Sequence, residues 1–120
     1  MNDVILPRIL SSTGTFIGRA NGRDYHLIPQ IAESTTCDGF ELMLLEDWSE
    51  RLPAVCDFLL ASGFLPETVH LEKNIGVLLS AGTEKCAGEA LEIFRRDIVA
   101  ASRLGARLAV LHFWGGRLSD

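Results

Sequence analysis

Short apolar runs alternate along this chain with longer stretches whose apolar residues recur every three or four positions. "ILSSTGTFIG" (Ile9 to Gly18) opens on apolar and β-tolerant residues and closes on glycine, as a short strand and its loop do. "RDYHLIPQIAES" follows, with Leu27, Ile28 and Ile31 at helical spacing; Pro29 fits only near a helix start, so this helix is short. "DGFELMLL" (Asp38 to Leu45) is a near-continuous apolar run after a turn signal, the pattern of a strand covered on both faces. In "DWSERLPAVCDFLLASG", Trp48, Leu52, Val55 and Leu59 recur at helical spacing, and Gly63 stands where a helix ends. Pro53 must lie in the first turn, which predicts a helix start near Ser49. "ETVHLEK" (Glu67 to Lys73) reads as a third strand, and "NIGVLLSAG" as a loop with room for a turn of helix. "TEKCAGEALEIFRRDIVAASRLGA" is the longest helix, with Leu91, Phe94, Ile98 and Ala101 as its apolar stripe. Gly105 ends it, and Arg107 to Leu111 form a fourth strand.

The order is β-α-β-α-β-α-β, which implies an α/β fold with a parallel sheet and right-handed crossovers. Two architectures share that order. A doubly wound sheet places a glycine fingerprint after its first strand. Here "STGTFIGRANG" has Gly14, Gly18 and Gly22 four apart, with no helix opening on them, so a flavodoxin-like nucleotide loop is not supported. A (β/α)8 TIM barrel needs about 250 residues. The 120 residues carry four of its eight units. The expectation is one partial-barrel domain over 1–120, the N-terminal half of a TIM barrel with about four strands.

Hydrophobic residues make up 48% of the chain, enough for a real core, and the net charge is −5. An acidic balance leaves no electrostatic footprint for nucleic acid or an anionic membrane. The single pair Arg95–Arg96 reads as a solvated helix face. No secretory signal and no apolar stretch of membrane-spanning length occur. Cys37, Cys56 and Cys86 are odd in number, far apart and in no CxxC pair, as free thiols of a cytoplasmic protein are.

Candidate chemistry gathers at the C-terminal strand ends, where barrels build their sites. Ser11, Ser12 and Thr13 belong to the first strand, Glu41 interrupts the second, His70, Glu72 and Lys73 end the third, and His112 and Trp114 end the fourth. Alternation puts Glu41 with Met43, His70 with Glu72, and His112 with Val110 and Trp114. A charge inside a buried strand needs a partner or a wet mouth, and Lys73 or Arg19 is the ordinary partner for Glu41. His26 falls on the first helical pattern as a surface residue.

Three stretches, "DGFELML", "VHLEKNIG" and "AASRLGARLAVLHFWGG", resemble the first half of the xylose isomerase-like barrel superfamily, which includes sugar phosphate isomerases, epimerases and endonuclease IV-like enzymes. The resemblance covers roughly residues 9 to 118. It rests on Glu41 in the second strand, His70 ending the third, the helix end Ala101, Leu104, Gly105 and Ala106, and His112 ending the fourth. It implies a divalent-metal site at the barrel mouth, with His70 and His112 as metal ligands and Glu41, Glu72, Lys73 and Trp114 facing a sugar substrate. Zn²⁺ or Mn²⁺ suits imidazole and carboxylate ligands. The carboxylates that complete such sites lie on later strands, so two imidazoles are expected to hold no metal tightly. The expected function is part of a metal-dependent sugar or sugar phosphate isomerase or epimerase, inactive alone, as a truncated gene product or a fragment. The alternatives are a non-catalytic half-barrel that self-associates through its open edges, and an endonuclease IV-like hydrolase, which the acidic charge disfavours. No catalytic base is assigned.

Overall fold

The computed structural model describes residues 3–113. Four short strands form one parallel sheet: β1 (Leu10–Ser12), β2 (Gly39–Met43), β3 (Thr68–His70) and β4 (Leu108–Val110), in the spatial order β1-β2-β3-β4. Every crossover steps the same way. The sheet therefore lacks the reversal of strand order at which a doubly wound sheet binds its nucleotide.

The helices are α1 (Ile28–Glu33), α2 (Leu52–Ala61), α3 (Asn74–Ser80) and α4 (Glu84–Arg103). Pro29 and Pro53 sit in the first turns of α1 and α2, where their missing N–H costs nothing. Pro53 moves the start of α2 to Leu52, three residues past the expected Ser49, and a 3-10 segment over Glu46–Arg51 fills the gap. Asn74–Ser80, where the sequence predicts a loop with room for a turn of helix, is a seven-residue helix packed against α4. The Thr83 side chain accepts from Cys86 N–H and starts α4. Gly63 and Gly105 end α2 and α4 with φ of +75° and +72°, a conformation in which a Cβ is strained.

The core lies between the helices and one face of the sheet. Leu42 and Val69 project into it and are fully buried, with Val55 and Leu59 from α2 and Ile28 from α1. The expected Trp48, Leu52, Val55, Leu59 stripe is buried throughout. In α4 the buried line is Ala90, Ile93, Asp97, Ala100 and Leu104. It is not the expected stripe of Leu91, Phe94, Ile98 and Ala101: Leu91 and Ile98 are exposed, and only Ala101 is buried. A buried aspartate at the centre of the line disguises it in a hydropathy reading.

The loop between β1 and α1 is tied down by two side chains. Thr13, buried, accepts from Met43 N–H at 2.9 Å. Trp48 Nε1–H donates to the Arg23 carbonyl at 2.7 Å, and Arg23 is the described non-glycine residue with positive φ, +53°. Cys37, Cys56 and Cys86 are free. No helix among the described residues is long and apolar enough to cross a membrane.

Candidate functional site

In-register parallel neighbours point the same way, so Glu41 and Met43 share a face with Thr68 and His70, and these with Leu108 and Val110. This is the face opposite the buried Leu42 and Val69. At β4 it is open: Leu108 is 68% exposed.

His70 and His112 meet at the end of this face. Their Nε2 atoms are 2.8 Å apart and their ring centroids 4.7 Å. The Nδ1 of buried His70 lies 3.2 Å from the Leu71 carbonyl, an acceptor, so Nδ1 carries the proton and donates. With Nδ1 as the donor, the neutral tautomer of His70 presents its Nε2 lone pair toward the Nε2 of exposed His112. A backbone carbonyl that fixes one ring nitrogen and frees the other is the usual support of a metal-binding histidine.

The fit to a metal is partial. A tetrahedral Zn²⁺ with bonds near 2.0–2.1 Å sets two ligand nitrogens about 3.3 Å apart, so the rings, at 2.8 Å, must part by about half an ångström to admit one. A firmly held Zn²⁺ takes at least three protein ligands. Among the described residues no group of three or more His, Cys, Asp and Glu side chains could share an ion.

The other candidates are placed elsewhere. Glu41 is half-buried on the open face, and no ion pair to it, from Lys73 or Arg19, occurs among the described residues. Lys73 is exposed and directly precedes α3. Trp114 lies outside the described residues. His26 is a surface residue, with its Nδ1 against Asp24 at 2.7 Å.

Glu72 makes its contacts with the helical layer. It is 2% exposed; its carboxylate accepts from Ser49 Oγ at 3.3 Å, and its backbone N–H donates to Asp97 Oδ2 at 2.8 Å. Asp97 is 0% exposed. Burial, with Asp97 beside it, pushes the Glu72 carboxyl up to about 8. Burial also raises Asp97, against the hydrogen bonds from Glu72 and the nearby Arg96 charge. Glu72 Oε1 and Asp97 Oδ1 find no donor among the described groups. A proton on Glu72 would supply the donor that these two oxygens lack. Sequence reasoning missed Asp97; an acid inside the hydrophobic repeat of a long helix was the available signal.

Comparison of the chain with protein-family models, curated proteins and solved structures returns no match.

Proposed function

We propose that this chain forms four (βα) units of a barrel of the xylose isomerase-like kind, in the lineage of metal-dependent sugar or sugar phosphate isomerases and epimerases, in the cytoplasm. The observation that carries the reading is the His70–His112 pair at the C-terminal ends of neighbouring parallel strands, Nε2 to Nε2 at 2.8 Å. His70 and His112 are assigned as two ligands of a Zn²⁺ or Mn²⁺ site. Bound there, such an ion supplies polarisation of a sugar carbonyl or hydroxyl. Glu41 and Lys73 are assigned to substrate at the same mouth; Glu72 is not retained, because its buried carboxylate accepts from Ser49 and its backbone N–H donates to Asp97. The remaining ligands belong to further strands, so the chain by itself holds Zn²⁺ weakly and turns over no sugar.

Zinc calorimetry on the wild type, His70→Ala and His112→Ala tests the site. The expected result is weak binding that each substitution abolishes. Tight binding that survives both would put the metal elsewhere and overturn the assignment.

A second reading, a self-associating half-barrel, is favoured by the exposure of β4, whose Leu108 and Val110 lie uncovered beside an edge that no other described strand pairs. Light scattering is expected to give a dimer or larger species that Leu108→Lys shifts toward monomer. A wild type that is monomeric at all concentrations excludes this reading.

A further inference from the structure

On the outer, helical side of the molecule, α2 and α4 leave a groove of about 230 Å³ between them. Its apolar lining is the buried Leu52, Cys56 and Ala100 with the exposed Pro53 and Val99. Three guanidinium groups surround it: Arg95, Arg96 and Arg103. The chain has 11 Lys and Arg residues against 16 acids, so three cations around one apolar trough is a concentration of charge opposite to that of the whole.

The arginines are differently engaged. Arg103 is held across the groove, donating to the Pro53 carbonyl at 3.4 Å and to Asp57. Arg95 pairs along its own helix with Glu92 at 3.3 Å. Arg96 is exposed and forms no ion pair among the described residues. Arg96, Ala100 and Arg103 follow helical spacing along α4, so a guanidinium stands at each end of an apolar stretch about 10 Å long, at 1.5 Å per residue.

We propose that this groove binds a small amphipathic anion, a free alkyl carboxylate of about eight carbons, with the chain on buried Leu52, Cys56 and Ala100, flanked by Val99, and the carboxylate on Arg96. A bidentate carboxylate–guanidinium contact fixes the head, and apolar burial holds the tail. The site is separate from the His70–His112 pair and does not depend on its assignment. A ligand this small binds in the millimolar to high-micromolar range.

The test is a titration of the full chain with octanoate, followed by amide and methyl NMR shifts, with octylammonium and octanol as controls. Octanoate is expected to shift Cys56, Val99 and Ala100, to bind about tenfold more tightly than octanol, and to leave octylammonium without effect. Arg96→Gln is expected to weaken octanoate about fivefold to tenfold, and Val99→Trp, a change at an exposed position, to fill the groove and abolish binding. Thermal melts of both variants, expected to match the wild type, show that they fold. The proposal is overturned if octylammonium binds as well as octanoate or if neither substitution changes the affinity. It is equally overturned if the shifts map to Leu108 and Val110 on the open sheet face, or if no shift appears at ten millimolar or so.

Discussion

His70 and Glu72 leave the end of β3 two residues apart and enter opposite environments. His70 meets an exposed imidazole on the open face of the sheet. Glu72 meets a wholly buried carboxyl under α4. Each is a pair of titratable groups in contact, yet their chemistry diverges because one pair has access to water and the other does not. In the wet pair the His112 ring is open to solvent, so an approaching ion need not enter the core to reach it. The dry pair must keep a proton, since two carboxylates side by side without solvent cannot both ionise. Two groups that look alike in sequence, polar residues at a strand end, therefore become a candidate ligand set and a structural lock.

The largest expected effect lies on the dry side. In the folded protein the Glu72 carboxyl is raised from its ordinary 4.5 to about 8. Between those values the folded protein holds a proton that the unfolded chain has released. Its contribution to stability is thus fully present below about pH 4.5 and is lost as pH rises through 8. Urea unfolding is expected to show a loss of roughly 3–5 kcal/mol from this group across that window. Glu72→Gln should flatten the curve; an equally steep curve in the variant would remove Glu72 from the account.

A smaller effect separates shape from charge at Asp97. Asp97→Ala strips the acceptor from the buried Glu72 N–H and opens a cavity, and should cost about 2–4 kcal/mol at pH 6. Asp97→Asn keeps an acceptor and removes the second acid, so it should cost clearly less, and least at pH 9. If the two substitutions cost the same, the contact with Glu72 is not what holds Asp97 in the core.

The smallest effect belongs to the wet pair. His112 is exposed, and His112→Ala should cost under about 1 kcal/mol in unfolding experiments at pH 7. A cost as large as that of Asp97→Ala would mean that the histidine pair is structural too, and the contrast between the two regions would collapse.

Much of this arrangement was legible in the sequence. The strand-and-helix order and the buried stripe of α2 follow from hydrophobic period, and the meeting of His70 with His112 is what the barrel resemblance implies for neighbouring strands. Three features were not. The register of α4 was misread because Asp97 occupies a core position that hydropathy assigns to the surface. Asn74–Ser80 was read as a loop with room for a turn of helix because it has no side-chain N-cap and a glycine at 76, and it gains its helical order by packing on α4. Glu72 was placed at the mouth by extending strand alternation past His70, where the strand has already ended.

The parallel order of the sheet also governs how the chain must fold. Leu10 pairs with Gly39, Glu41 with Thr68, and Thr68 with Leu108, so the three closures span 29, 27 and 40 residues. Loop-closure entropy grows by only about 0.6 kcal/mol per doubling, so length separates these closures by a few tenths. What differs is the return. Closing β2 on β3 buries Leu42 and Val69 completely, whereas β4 is exposed along its whole length. The β3–β4 ladder should therefore form last in refolding and surrender its amide protons first in hydrogen exchange, while the β2–β3 centre exchanges only with global unfolding. The strand that carries the chain into His112 is then the least protected of the four, and its pairing is the step at which the histidine pair is assembled.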